Sequence, residues 1–477
     1  MKIKKQYILF CFFLMFLISP TKNLSGQNSL EKYLELAAGN NPGIKAAFNY
    51  YLTALEKVPQ AGALPDPQVS FGYFVKPMQL LGGNQVADIQ LMQMFPWFGT
   101  LKAGRDEASL MAKAKFEEFN SSKARLFYNV KSSWYQLMKY DRKIALVKEN
   151  LEILESIEKV AIVKFQSPVA DIQSQSMSGS VTNSSAGVMN NSGGGMSGTN
   201  NQQGSNSNML AKNTSLAMSS GMNDSQSGLQ DVLRVKMEIL EQKNRLELLN
   251  DQRRTEEATL NALLNRSLEI NVQISDSLVA QPLPAGRLAI PDSILNNNSM
   301  LSMLENQTGT YLFMEQKAKK MGLPMVGIGL DYMLIKERSG NTSMMNGKDM
   351  IMPMVSVSIP IYRKKYNAMQ NEARLMKEAG NQQIIDFKNS LMVQYRQIIQ
   401  RLDDAERRIS LYTEQEDLVR RTTGLLLSGF TTSGNSFEEV LRMQLKVIDY
   451  GFKNVEAIVD YNTSVAMVEM LINSIKY

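Results

Sequence analysis

The chain has 477 residues, of which 44% are hydrophobic, and its formal net charge is +6. This length is enough for two structural units. With one cysteine and no histidine, the chain cannot form an internal disulfide, a Cys/His zinc site or a histidine-based catalytic site.

Residues 1–26 predict a secretory signal peptide. Lysines precede an apolar run over residues 7–18, and a polar stretch ends near Gly26. The apolar run is short for a helix that spans a bilayer. Cleavage would remove four lysines, no acid and the only cysteine, Cys11, which leaves a mature chain with a formal charge of +2. The basic balance therefore gives no case for nucleic acid as a partner.

The next segment, residues 27–271, predicts a first structural unit. The pattern indicates a helix broken at Asn41-Pro42, then two strands, a long helix and a returning helix. The predicted bounds are about 29–60 for the broken helix, 68–76 and 87–95 for the strands, and 101–165 for the long helix.

Residues 272–477 repeat this plan. The predicted elements are helical sequence over about 292–320, strands over about 325–335 and 351–360, a long helix over about 364–427 and a last helix from about 436. Two phrases also repeat, Asp231-Val232-Leu233-Arg234 and Glu439-Val440-Leu441-Arg442. Internal repetition predicts two similar halves.

The long helices carry apolar residues at coiled-coil spacing. In the first long helix these residues are Leu126, Val130, Trp134, Leu137, Ile144, Val147, Leu151 and Leu154. Each long helix exceeds a bilayer in length and is too charged to lie within one, so we expect both to stand in water beside other helices.

The strands alternate between an apolar face and a face of small or polar residues. This pattern is typical of a membrane β-barrel, and the edge of a soluble sandwich has a similar one. Aromatic residues near the predicted strand ends favour the barrel: Tyr73, Phe74, Phe95, Trp97, Phe98, Tyr332 and Tyr362. Four strands cannot close a barrel, so several copies would have to share one.

Several phrases together resemble the TolC family of outer-membrane efflux channels. They are Asn41-Pro42, Leu64-Pro65-Asp66-Pro67, Gln93-Met94-Phe95-Pro96-Trp97-Phe98-Gly99 and the two Val-Leu-Arg phrases. The sequence motif around Pro96 most resembles that of the heavy-metal branch of the family, which exports copper and silver or cobalt, zinc and cadmium.

The resemblance implies a mainly α fold with a small β part. Long coiled-coil helices would form a TolC-like α-helical barrel, and four strands per chain would enter a shared trimeric transmembrane β-barrel. It implies a passive homotrimer in outer-membrane lipid, with a periplasmic adaptor and an inner-membrane transporter of the RND type as partners. No cofactor and no enzymatic activity are implied.

By the same resemblance, Asp231, Arg234, Glu439 and Arg442 would lie at or near the periplasmic entrance of the tunnel. A ring of acids there would favour cations. The alternative is that Asp231 and Glu439 are first-turn acids that a helix dipole favours, and both readings can hold.

The first unit has an insertion that the second lacks, from about 166 to 228. It is rich in Ser, Asn, Gly and Met and predicts a flexible segment. Its methionines are candidate Cu(I) or Ag(I) ligands: Met177, Met189, Met196, Met209, Met218 and Met222. The alternative is that methionine is simply frequent in this chain. A second group, Met344, Met345, Met350, Met352 and Met354, lies in or beside the second strand hairpin.

Two functions therefore compete. The first is an efflux conduit for metal ions or small toxic compounds. The second is a periplasmic coiled-coil adaptor or scaffold without a membrane barrel, which accounts for the helices but not for the duplicated strands. No nucleophile-elbow or phosphate-loop phrase supports an enzyme.

Overall fold

The computed structural model describes residues 29–166, 224–274, 276–340, 342, 344–432 and 437–473. The signal peptide predicted over residues 1–26 lies outside them. The chain divides into two compact units, one of Met1–Asn150 with Asn244–Tyr477 and one of Leu151–Lys243.

The first half begins with two short helices, α1 (Ser29–Asn40) and α2 (Pro42–Gly62). Strands β1 (Gln68–Leu80) and β2 (Gly83–Phe95) follow, then the long helix α3 (Thr100–Gln166) and the returning helix α4 (Asp224–Leu263). The predicted break at Asn41-Pro42 is present, because Pro42 starts α2 and the Asn41 side chain caps it.

The second half has the same order of elements. It comprises α5 (Ile290–Asn297), α6 (Ser299–Met321), β3 (Met325–Lys336), β4 (Met350–Ser358), α7 (Arg363–Thr432) and α8 (Phe437–Ile472). The helical sequence expected over about 292–320 is in fact two helices, since Asn298 ends α5 and caps α6. In this respect α5 and α6 correspond to α1 and α2.

One asparagine in each half makes the same two hydrogen bonds. The side-chain oxygen of Asn41 accepts from the backbone N–H of Ile44 at 3.2 Å, and its amide donates to the carbonyl of Leu263 at 2.9 Å. Asn298 accepts from the N–H of Leu301 at 3.0 Å and donates to the carbonyl of Leu471 at 3.0 Å. Each asparagine thus starts one helix and satisfies the last turn of another.

A second pair of asparagines ends the returning helices. Asn265 follows α4 with φ 52° and Asn473 follows α8 with φ 53°, in the left-handed region that asparagine tolerates at helix C-termini. Asn265 donates to the carbonyl of Asn40, and Asn473 donates to the hydroxyl of Ser299. The repeat is therefore present in the backbone geometry as well as in the order of elements.

The four strands form one antiparallel sheet in the order β1-β2-β3-β4. β1 and β2 have 13 residues each, longer than the predicted 68–76 and 87–95. The extension is possible because the β1–β2 register shifts between Tyr73 and Met78, which leaves Pro77 out of the regular ladder.

Two groups of buried side chains stabilise the helices of the larger unit. The first joins α1, α2, α3, α4 and α8 around Trp134, which is 1% exposed. The second joins α5, α7 and α8 around Ile290 and Leu402. The predicted seam of α3 is confirmed, because Leu126 and every other residue in it is buried.

The smaller unit contains the end of α3 and the start of α4. Leu154, Ile157 and Val235 are buried there, and the Lys243 ammonium lies 3.8 Å from a carboxylate oxygen of Glu155. Among the helices that the structure describes, none has an apolar stretch long enough to cross a membrane.

Candidate functional site

One face of the sheet is apolar and exposed to solvent in the isolated chain. Val69 and Phe71 of β1, Ile328 of β3 and Val355 of β4 lie on this face with 58–75% of their surface exposed. Four strands side by side therefore present a broad apolar surface. Exposed patches of that kind mark contact with lipid or with another protein.

The opposite face is polar or small, apart from methionines. Cross-strand pairing brings together Ser70 with Gln90, Met92 with Gly329, and Gly327 with Ser356, among others. Residues here are mostly less exposed than those on the apolar face, although no described helix packs extensively against the sheet.

Side-chain contacts connect neighbouring strands on the polar face. Ser70 donates to Gln90 at 3.3 Å, and the hydroxyl of Ser356 lies 3.4 Å and 3.7 Å from the sulfur atoms of Met92 and Met94. Gly327, between these strands, leaves room for the sulfurs. A Cβ atom there would lie 2.6 Å from the Met94 sulfur.

Asp331 is the most deeply placed charge on this face. Its side chain is 9% exposed, and its Oδ1 atom is buried with no hydrogen-bond partner in the described part of the chain. Its cross-strand neighbours are Gln90 and Met352. The regularly paired segments, 68–73, 87–95, 325–334 and 350–358, contain two acids, Asp88 and Asp331, and no Lys or Arg.

The two outer edges of the sheet are open. β1 pairs with β2 alone and β4 pairs with β3 alone among the described strands. Unpaired strand edges are templates for pairing with another chain.

The aromatic residues expected at strand ends are in two kinds of place. Phe95 ends β2, Trp97 and Phe98 follow it, and Tyr362 lies between β4 and α7. Tyr73 and Phe74, in contrast, lie in the middle of β1, so their expected terminal position was wrong. The reason is the register shift, which lets β1 continue to Leu80.

The repeated phrases lie near the starts of the returning helices. Glu439 is in the first turn of α8 and forms an ion pair with Arg442, 3.3 Å apart, on the helix surface. Asp231 is half-buried and Arg234 exposed, in a helix that begins seven residues earlier, at Asp224. The first-turn interpretation therefore holds for Glu439 and fails for Asp231.

The two phrases lie in different compact units. Asp231 and Arg234 are in the unit of Leu151–Lys243, and Glu439 and Arg442 are in the larger one. The role of these four residues at a tunnel entrance remains a prediction.

The predicted insertion is bounded by helix at both ends. Gln166 is the last residue of α3, and residues 224–228 belong to α4. The six candidate metal ligands, Met177, Met189, Met196, Met209, Met218 and Met222, lie outside the described residues. Of the second methionine group, Met344 is 91% exposed in the hairpin loop, and Met350, Met352 and Met354 lie in β4.

Three titratable groups on α3 have shifted pKa values, and burial raises that of Tyr140. Burial raises the pKa of Tyr135 to about 12, with smaller contributions from the negative charges of Glu469 and Asp276. Burial lowers the pKa of Lys139, and the neighbouring ammonium of Lys143 lowers it further, against nearby carboxylates. In the described residues no three His, Cys, Asp or Glu side chains are grouped so as to hold a metal ion.

The architecture is that of known outer-membrane proteins. The chain is similar to the outer membrane protein VceC of Vibrio cholerae, with a TM-score of 0.65 and 10% identity over 93% of this chain and 95% of that chain. It is similar to the Campylobacter jejuni CmeC outer membrane channel (TM-score 0.64, 12% identity, 93% and 85% covered). It is also similar to the open state of the Neisseria gonorrhoeae MtrE outer membrane channel (TM-score 0.66, 12% identity, 93% and 88% covered).

The chain has the fold of these outer-membrane channels. No family model and no curated protein matches it by sequence, so the likeness is one of structure. The predicted TolC-like fold class, mainly helical with four strands, is confirmed.

Proposed function

We propose that the chain is the outer-membrane channel of a tripartite efflux pump. In this proposal three copies form a passive conduit. A periplasmic adaptor joins the conduit to an inner-membrane transporter of the RND type. The chain itself catalyses no reaction.

The observation that carries this proposal is the two-faced sheet. Its apolar face is exposed over all four strands, whereas its other face consists of polar or small residues and methionines. A sheet in lipid needs an apolar outside, a polar inside and no open edge. The first two conditions are met by one chain, and the third requires further copies on both outer strands.

Three copies are consistent with the size of the sheet. One chain supplies four strands, and about eight strands are needed to close a barrel around even a packed interior. Twelve strands from three chains would leave an open passage. The number three comes from the likeness to the TolC family, and the need for more than one copy comes from the open edges.

The helices offer a second surface for neighbouring copies. On α7, Leu411, Leu418 and Leu425 recur every seven residues and are 48–74% exposed. The buried face of the same helix already packs against α6 and α8. A second exposed apolar seam at heptad spacing is typical of a helix that packs beside another chain. We propose that this chain is a second copy.

A periplasmic adaptor or scaffold is the competing function. The long helices and their exposed seams would suit it. An adaptor that stays in water, however, has no use for a four-stranded sheet with an exposed apolar face. We therefore favour the channel.

The entrance and the cargo are finer parts of the proposal. We propose that Asp231, Arg234, Glu439 and Arg442 lie towards the periplasmic end, where acids would favour cations. Metal ions and small toxic compounds are the proposed cargo. Capture of Cu(I) by the methionines of residues 166–228 is tested by titrating full-length chains with and without Met-to-Leu replacements in that segment. Equal binding by both chains would end that part of the proposal.

The channel itself is tested with two substitutions at adjacent residues on opposite faces of β1. Phe71→Lys places a charge on the exposed apolar face, and Ser70→Lys places the same charge on the polar face. A lysine facing lipid at mid-membrane costs about 2–4 kcal/mol, while one facing the lumen is solvated.

We expect the native protein to leave outer membranes only with detergent, to run as a trimer and to conduct ions in planar bilayers. Ser70→Lys should assemble normally, and Phe71→Lys should assemble at least tenfold less. Release of the native protein by salt alone, or equal effects of the two substitutions, would favour the soluble scaffold.

A further inference from the structure

The methionines of the regularly paired parts of the sheet all lie on one face. In the regularly paired segments they are Met92, Met94, Met325, Met333, Met350, Met352 and Met354, and the strand register places every one on the polar face. The apolar face of the same segments has none. A methionine used only for hydrophobicity belongs on the apolar face, so this distribution is the reverse of that expected from hydropathy.

Three of the sulfur atoms are held in place by neighbours. The sulfurs of Met92 and Met94 both lie beside the Ser356 hydroxyl, at 3.4 Å and 3.7 Å. The sulfur of Met354 lies 3.9 Å from the side-chain amide nitrogen of Gln90. Met92 and Met354 pair with Gly329 from its two sides, and the Met92 sulfur lies 3.2 Å from the place that a Cβ atom of Gly329 would take.

An acidic residue lies in the row of the sheet beside these methionines. Gln90, Asp331 and Met352 form one row across three strands, and Met92, Gly329 and Met354 form the adjoining row. The Oδ1 atom of Asp331 is buried with no hydrogen-bond partner among the described residues. A buried carboxylate oxygen without a partner is costly, and a cation beside it removes that cost.

We propose that Asp331 and the thioethers of Met92, Met352 and Met354 form a site for a soft monovalent cation, Cu(I) or Ag(I). Thioether sulfur is a soft ligand that suits Cu(I) and is a poor ligand for Mg²⁺ or Ca²⁺. One carboxylate balances one positive charge, and no Lys or Arg of the paired segments opposes the cation. Met94, Met325, Met333 and Met350 extend the same surface along the strands.

This site rests on the proposed function, because the polar face would be the inner wall of the channel. It makes the cargo more specific, since a pathway lined with thioethers would pass soft cations by exchange from one methionine to the next. It is also independent of the insertion at 166–228. The methionines of the sheet are fixed by strand register.

The test is Cu(I) binding to the detergent-solubilised full-length protein, measured by competition with a colorimetric Cu(I) chelator. Every protein in the comparison carries leucine at the six insertion methionines, so that this segment does not contribute. Met92→Leu/Met354→Leu removes two thioethers at nearly constant volume, and Asp331→Asn removes the charge at constant shape. The matched control is Met300→Leu/Met321→Leu, which changes two methionines of α6 that are similarly exposed, 38% and 37%.

We expect the Met92/Met354 variant to bind Cu(I) at least tenfold more weakly than the control, and Asp331→Asn to weaken binding by a smaller factor. X-ray absorption of bound Cu(I) should show sulfur neighbours that decrease in the Met92/Met354 variant alone. Equal affinity in variant and control would overturn the proposal. So would a copper spectrum without sulfur.

Sodium conductance in planar bilayers separates this inference from the proposed function. If all these proteins conduct sodium equally and bind Cu(I) equally, the channel stands and the cation site fails. If none of these proteins inserts into the bilayer or conducts sodium, the proposed channel function is wrong. Sulfur-bound Cu(I) would then indicate a copper-binding protein that is not a channel. Loss of trimers in the Met92/Met354 variant alone would mean that the methionines act only in packing, and would also overturn the site.

Discussion

Asn298 should contribute more to stability than its counterpart Asn41, although both side chains make the same two hydrogen bonds. Asn298 is 7% exposed, whereas Asn41 is only half-buried. Replacing either by alanine removes a helix cap, at a cost of about 1 kcal/mol. It also leaves a helix carbonyl without its donor, and a buried unpaired group costs about 1–3 kcal/mol more.

We therefore expect Asn298→Ala to cost about 2–4 kcal/mol and Asn41→Ala about 1–2 kcal/mol, because water can replace the lost donor at the half-buried site. Asn298→Asp keeps the cap acceptor and loses the donor to Leu471, so it should fall between wild type and Asn298→Ala. The assay is hydrogen exchange of amides one turn beyond each cap, within residues 302–310 of α6 and 45–53 of α2.

A change of 2–4 kcal/mol corresponds to exchange about 30-fold to 1,000-fold faster. Exchange rates that rise equally in the two alanine variants would refute the argument from burial. An Asn298→Asp variant indistinguishable from wild type would show that the donated bond to Leu471 contributes nothing.

Three further predictions concern the helices and the sheet. Arg253→Met removes a mostly buried guanidinium from two carboxylates and a backbone carbonyl. It should lower the free energy of unfolding, measured in urea, by about 2 kcal/mol. The control Arg254→Met, at an exposed ion pair, should change that free energy by less than about 0.5 kcal/mol. The folded protein raises the pKa of Tyr135 to about 12. The neutral phenol therefore contributes stability below pH 10, and this contribution is lost as the pH rises through 12. In urea titrations, the Tyr135→Phe variant should lose less stability than the wild type over that pH interval. Gly327→Ala places a methyl group 2.6 Å from a methionine sulfur on β2 and should lower the melting temperature of the protein in detergent, while Gly286→Ala, in open space, should leave it unchanged.

The sequence predicted the elements well because their signals are local. Three-four spacing of apolar residues marked the buried seam of α3, and its two ends lie within about one residue of the expected positions. Alternation marked the strands, and Asn41-Pro42 marked the break between α1 and α2. Each of these patterns depends on neighbours only a few residues away.

The sequence did not predict the end of β1 or the capping role of Asn298. β1 continues beyond its predicted end because its register against β2 shifts at Tyr73, which is a property of two strands together. Asn298 was missed because Ser299, not proline, follows it. Its alignment with Asn41 could have been found by comparing the residues before Leu323-Pro324 with those before Leu64-Pro65.

The chain sequence by itself determined a duplicated, mainly helical protein with two hairpins, each with one apolar and one polar face. Those properties follow from the spacing of apolar residues along the chain, and each segment shows its own spacing independently of the others. Only the tertiary structure decided which strands lie side by side, because pairing joins residues far apart in the chain. Met92 and Met354 come to lie on either side of Gly329, one row from Asp331, through a sheet whose order and register arise from all four strands at once.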